Sequence, residues 1–222
     1  MFSELYTKIV DLLFPRMCVQ CGIRGTLLCG ECLGRLPRAE PSKESFVSAV
    51  FSYQNQALRR LIWKFKYKNA RGVAQYFGEA LYHEILGALS EELLLSKSER
   101  VLLVPIPLHK KRLHERGYNQ SELLALEIMK CAKEQGGEEF FQIELGALIR
   151  TRKTKPQAKK EKRSARFENL RGAFVCSDPS RVRGRTVILI DDVTTTGATF
   201  VSAKSALSSA RPRKVLAFAV AH

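Results

Sequence analysis

The sequence predicts an α/β protein, a parallel sheet flanked by helices, with a small cysteine-rich module at its N-terminal end. Three observations carry this. Val187-Ile188-Leu189-Ile190 is a continuous apolar run, as a strand covered on both faces requires. Val101 to Val104 is a second such run, its end set by Pro105 and Pro107. Around these runs, apolar residues recur at helical spacing, so strands and helices alternate along the chain.

Composition sets the bounds. The chain has 222 residues and is 45% hydrophobic, enough for one α/β core and a small appendage. A net charge of +15 favours polyanionic partners, whether nucleic acid, anionic lipid or a highly charged small ligand, without choosing among them. Glu4, Lys8 and Asp11 break the N-terminal apolar residues, so no signal peptide is expected, and no run has the length of a membrane span. A cytoplasmic protein is the expectation. There, six cysteines read as thiols or metal ligands rather than disulfides.

Phe2, Leu5, Tyr6, Ile9, Leu12 and Leu13 line one side of a short helix that ends before Pro15. Its mixed charge suits packing on its own domain better than a membrane surface. Cys18-x-x-Cys21 and Cys29-x-x-Cys32 follow, seven residues apart, with Gly22 and Gly30 beside them. Two such pairs form tight knuckles around a tetrahedral Zn²⁺. Four thiolates leave no open position for water, so the metal is structural. Residues 1–40 are expected to form this module, and 41–222 the main domain.

Pro37 to Ser45 is a polar link. Phe46 to Tyr53 reads as a strand. Ala57 to Tyr67 reads as a helix with Leu58, Leu61, Ile62 and Phe65 inward, and Arg59, Arg60, Lys64, Lys66 and Lys68 outward. Its aromatics among cations could stack nucleic-acid bases, but an amphipathic helix with snorkelling lysines explains them as well and is the preferred reading. Val73 to Leu95 is a second helical stretch, and His83 in it reads as a surface or packing residue rather than a ligand. The buried strand from Val101 leads into a cationic loop, His109 to Gly117. Asn119 and Glu122 suit a capping box for a helix to about Gln135, closed by Gly136-Gly137. Arg150 to Arg166 holds nine Lys or Arg against one acid, Glu161, and lacks apolar periodicity, so a mobile surface loop is expected. Thr186 to Ile190 re-enters the sheet. Phe200 to Ala210 is a helix, and Val215 to His222 the last strand.

The chemistry gathers after Ile190. Asp191 and Asp192 stand where the strand is expected to end, followed by Val193, Thr194, Thr195, Thr196, Gly197 and Thr199 at the turn into a helix. Ligands of open α/β sheets bind outside the carboxyl ends of the strands. Free N–H groups and the dipole at the helix start favour an anion, the threonines add hydroxyl donors, and Gly197 admits close approach. The acids suit sugar hydroxyls, at about 1.5–3 kcal/mol for each hydrogen bond to a charged acceptor. A phosphate beside vicinal hydroxyls, a ribose 5-phosphate, fits both halves. The alternatives are an acidic strand end with a Thr-rich cap, or a metal site of nucleotide triphosphatases. The sequence has no G-x-x-x-x-G-K-[ST] loop to support the latter.

Val187 to Thr199 resembles the 5-phosphoribosyl-1-pyrophosphate (PRPP) signature of type I phosphoribosyltransferases. The paired CxxC knuckles, the text VPIPLHKKRLHERGYNQSELLA, and Arg150, Thr154, Gln157, Arg166, Asn169, Gly172, Ala173 and Phe174 resemble the ComF family. Lys160 departs from the Leu of many relatives. The resemblance implies a type I phosphoribosyltransferase fold and PRPP bound with Mg²⁺. Val193 to Gly197 and Thr199 would cradle the 5-phosphate, and Asp191 and Asp192 would hold the ribose hydroxyls. Ile106, Pro107, Leu108 and His109, with Arg112 and Arg116, would face the pyrophosphate. Arg150, or Lys153 or Lys155, would add charge on closure. It implies transfer of a phosphoribosyl group with release of pyrophosphate, and a link to DNA uptake or DNA utilisation. Single-stranded DNA and a helicase-like protein are the implied partners. The alternatives are a PRPP sensor without turnover and a zinc-containing protein that handles single-stranded DNA.

Overall fold

The structure, a computed structural model, describes residues 16–95, 99–151 and 172–222, the side chains of 90–95 excepted. The helix expected over 2–13 and the basic stretch over 152–171 lie outside the described residues.

In chain order the elements are α1 (Gly30–Gly34), β1 (Val47–Phe51), α2 (Gln56–Tyr67), α3 (Val73–Leu95), β2 (Val101–Pro105), α4 (Lys110–Arg116), α5 (Gln120–Glu134), β3 (Phe141–Ile143), β4 (Leu148–Arg150), β5 (Phe174–Cys176), β6 (Thr186–Val193), α6 (Ala198–Ser208) and β7 (Lys214–Ala221). Five strands form one sheet in the order β1-β7-β6-β2-β3, and every pair in it is parallel. The fold is that of a type I phosphoribosyltransferase, a parallel sheet flanked by helices.

The order locates the site. β2 leads through α4 and α5 to β3 on one side, and β6 leads through α6 to β7 on the other. The two chains part between neighbouring strands, which opens a crevice at their carboxyl ends.

Each sheet face carries its own core. Ile188 and Ile190 pack with Phe65, Phe77, Ile85 and Ile128 from α2, α3 and α5. Val187 and Leu189 pack on the opposite face with Phe200 and Leu207 of α6 and Phe174 of β5. Alternation along β6 therefore serves both layers. Each such buried side chain contributes about 1.5–3 kcal/mol. Between α3 and α5 the approach is close: a Cβ on Gly78 would lie 2.3 Å from the Glu127 Cβ.

Several expectations are corrected. The cationic segment after β2 is a helix, α4, rather than a loop. His109 Nδ1 accepts from Lys111 N at 3.2 Å at its start, and Gly117, at φ 75°, ends it in the left-handed conformation. β6 runs through both acids to Val193, because Ala219 and Ala221 of β7 continue the ladder opposite Asp191 and Val193. No periodicity in the sequence marks β3 or the antiparallel pair β4 and β5. Each has three residues, too few to show a period.

Residues 16–36 dock on the first core. Leu28, Cys32 and Leu36 are buried in it, and Thr26 Oγ1 lies 2.6 Å from the Tyr76 hydroxyl of α3.

Candidate phosphoribosyl site

The crevice holds a cavity of about 250 Å³. Its floor is the end of β2 against β6, where Ile106 N donates to Ile190 O at 2.9 Å. Asn119, which starts α5, ties the helix to that floor. Its Nδ2 donates to Ile106 O at 3.1 Å and to Glu122 Oε1 at 3.0 Å, while its Oδ1 accepts from Ser121 N at 3.1 Å. The predicted cap is present, with the glutamate bonded to the Asn119 side chain.

Asp191 and Asp192 stand at the centre. Asp191 Oδ1 accepts from Ser121 Oγ at 3.0 Å and from Asp192 N at 2.9 Å. Burial, then the neighbouring Asp192 charge, push the Asp191 carboxyl up to about 6, against the pull of Lys66. Asp192 is buried and pairs with Lys66, whose Nζ lies 2.9 Å from Oδ1. Burial lowers the Lys66 ammonium, but the two carboxylates outweigh it and hold its pKa above the usual range. Placing Lys66 among the outward residues is thus corrected: it follows buried Ile62 by four positions, on the inward side of α2. That spacing is the signal that would have found it.

Next comes the turn. Thr194 N donates to Ala221 O at 2.9 Å, Gly197 takes φ 77°, and Ala198 opens α6 with its N–H 3.4 Å from Thr196 Oγ1. Four cations or donors face the turn and acids across the cavity. Arg112 and Arg116 come from α4, Arg150 from β4, and Gln120 from α5. Burial and then Arg112 lower the Arg150 guanidinium, with Asp191 opposing. Arg116 Nη1 donates to Gln120 Oε1 at 2.8 Å. Since Arg only donates, this fixes the amide's orientation and leaves Gln120 Nε2 buried with no partner among the described residues. Gln120, like Lys66, was not anticipated. Its signal is position alone, directly after the capping Asn119.

Of the residues singled out in the sequence, Asp191 to Gly197, Thr199, Ile106, Leu108, Arg112, Arg116 and Arg150 line this one cavity. Pro107 and His109 do not, and the His109 ring instead caps α4. Thr154, Gln157, Arg166 and Asn169, like Lys153 and Lys155, lie outside the described residues.

A second constellation sits at the N-terminal module. The Sγ atoms of Cys18, Cys21, Cys29 and Cys32 all lie within 4.8 Å of one another. Gly22, at φ 78°, closes the first knuckle by donating its N–H to Cys18 O at 2.9 Å. Burial raises the Cys18 thiol, but backbone N–H groups of Cys21, Cys29 and Gln20 overcome this and bring it down to about 6. A closed set of four sulfurs with amides aimed at one of them fits a tetrahedral Zn²⁺.

Residues 123–222 match the model of the phosphoribosyl transferase domain. DNA utilization protein YhgH of Escherichia coli (strain K12) is 32% identical over 186 residues, which cover 82% of this chain and 74% of its own. Competence protein F of Haemophilus influenzae is 27% identical over 173 residues, 77% of this chain and 68% of its own. Among solved structures, the allosteric regulatory enzyme of purine biosynthesis aligns with 71% of this chain and 30% of its own, at a TM-score of 0.40 and 16% identity.

Proposed function

The chain belongs to the ComF family of phosphoribosyltransferase-like proteins, and on that premise we propose that its cavity binds PRPP with Mg²⁺ and transfers the phosphoribosyl group. One observation carries this reading. A hydroxyl-rich turn at a helix start, a carboxylate pair and three arginines line a single cavity at the switch point of the sheet. A phosphate, vicinal hydroxyls and a pyrophosphate are the three groups these chemistries match.

In this reading the N-terminus of α6, with Thr195, Thr196 and Thr199, takes the 5-phosphate. Asp191 and Asp192 accept the ribose hydroxyls. Arg112, Arg116 and Arg150 face the pyrophosphate. The carboxylate pair would offer hard oxygen ligands to Mg²⁺, which when bound would neutralise pyrophosphate charge. The C1–O bond to pyrophosphate breaks as a C1–N bond to the acceptor forms, and the acceptor nitrogen releases a proton. The arginines stabilise the charge that grows on the leaving group, where preorganised donors act most strongly.

Residues 1–40 act as a zinc-held brace for the domain of 41–222. The names of the relatives, DNA utilization protein and competence protein, support a place in DNA use or uptake.

Titration calorimetry of PRPP with Mg²⁺ tests the reading. Binding by the wild type, abolished by Asp191→Asn/Asp192→Asn, supports it, and pyrophosphate release with an amine, purine or pyrimidine acceptor would show turnover. A folded wild type that binds no PRPP would overturn it.

A further inference from the structure

Two large aromatic residues stand out of α2 beside the cavity. Trp63 is 50% exposed and Tyr67 59%. They sit four residues apart, one turn of the helix, and Lys66 beside them points inward to the cavity. Their ring centroids are 6.2 Å apart at an interplanar angle of 47°. Each ring carries a cation: Lys68 Nζ lies 5.3 Å from the Trp63 centroid, and the Arg116 guanidinium 5.1 Å from that of Tyr67. Arg116 also donates to the Tyr67 hydroxyl at 3.4 Å and lines the cavity. The exposed rings and the buried site thus share one residue.

The charged side chains of this stretch of chain are of one sign. No Asp or Glu occurs between Glu44 and Glu79, while Arg59, Arg60, Lys64, Lys66, Lys68 and Arg71 do. Among the described residues, Lys66 is the one of these paired with a carboxylate of the cavity. The core accounts for Leu58, Leu61, Ile62 and Phe65 but not for two exposed rings. Rings that present a face, set among cations, are what base stacking on a tracked phosphate backbone uses. A duplex hides its base faces, and a lipid surface calls for a broader apolar face than two rings ringed by charge.

We propose that Trp63 and Tyr67 form a stacking platform for the bases of a single-stranded nucleic acid, whose phosphates lie along the cations of α2 and whose end reaches the mouth of the cavity. Placing that end beside the ribose site rests on the phosphoribosyl reading, whereas the stacking does not.

The chain has one tryptophan, so its emission reports Trp63 alone. Titrating the full chain with an oligothymidylate of about 12 nucleotides, within the span of known single-strand sites, should quench that emission to saturation. Inorganic polyphosphate of equal charge should not quench it. By anisotropy of a labelled oligonucleotide, Trp63→Ala and Tyr67→Ala should each weaken binding about tenfold, and Trp63→Phe should retain most of it. PRPP binding by Trp63→Ala should equal that of wild type. An oligonucleotide that binds without changing the emission would overturn the platform. So would alanine variants that bind as wild type does, absence of binding at about 50 mM salt, or tighter quenching by polyglutamate or anionic vesicles. Quenching by a wild type that binds no PRPP would uphold the platform and remove only its relation to a ribose site.

Discussion

Lys66 Nζ lies 2.9 Å from Asp192 Oδ1, at a point where both side chains are largely withdrawn from water. The contact joins a helix on one sheet face to the end of the central strand. Asp192 has the same parity on β6 as Ile188 and Ile190, which face α2. The strand's alternation thus brings the carboxylate to the helix that carries the lysine. Ribose hydroxyls entering the cavity would meet a carboxylate already held and oriented.

Removing the lysine should be costly. Lys66→Met leaves a buried carboxylate without its counter-charge, a loss of about 3 kcal/mol. Adding Asp192→Asn should recover most of it. Urea unfolding of the two single variants and the double variant measures the coupling. Strictly additive effects would show that the pair contributes no interaction of its own.

Asp191 should make stability depend on pH. Its carboxyl is raised from 3.8 to about 6 in the folded chain. Between those values the folded protein holds a proton that the unfolded chain has lost. The stability this provides is full below 3.8 and gone once pH rises through about 6. Asp191→Asn has no proton to lose, and its amide oxygen can still accept from Ser121 Oγ and Asp192 N. The variant should therefore gain on the wild type between pH 5 and pH 8, by on the order of 1 kcal/mol or about 2–4 °C in Tm. Melting curves at the two pH values check this. A gap that stays constant would mean Asp191 titrates near its ordinary value. Affinity for PRPP should move the opposite way, falling in the variant at pH 8.

Much of this arrangement was legible in the sequence because local patterns govern it. The runs at Val101 and Val187 are fully buried strands, and the acid–hydroxyl–glycine order after Ile190 lines one wall of the cavity. What escaped depends on tertiary packing. Lys66 looked like one more cation on a basic helix, and only the carboxylate across the sheet edge makes it a partner. Gln120 gave no periodic signal, since its role follows from where α5 begins over β2. The three-residue strands β3, β4 and β5 owe their form to neighbours, β3 to β2 and the other two to each other.

Zinc should matter beyond its own module. Leu28 and Cys32 are part of the core that contains Phe77 and Leu81 of α3, and Thr26 meets Tyr76. Metal analysis should find about one Zn per chain, lost in Cys29→Ser and kept in Cys131→Ser. Loss of the metal should lower Tm and speed amide exchange in the first turns of α3, around Tyr76. Unchanged exchange there in the zinc-free protein would mean the module folds and unfolds on its own.

Gly197 tests the turn itself. Its φ of 77° belongs to the left-handed region, and an added Cβ would lie 2.9 Å from Glu44 Cγ. The glutamate side chain can swing away, but the backbone strain of Gly197→Ala remains, at about 1–2 kcal/mol. Relief of that strain tilts the start of α6 and moves the N–H groups offered to an anion. Ribose 5-phosphate should then bind about tenfold more weakly, a change of about 1.4 kcal/mol. Pyrophosphate, which the arginines of α4 and β4 face, should bind as in the wild type. Calorimetry with each ligand separates the two ends of the cavity. Equal losses for both would mean that the variant disturbs the whole crevice, and that the turn is no dedicated cradle for the 5-phosphate.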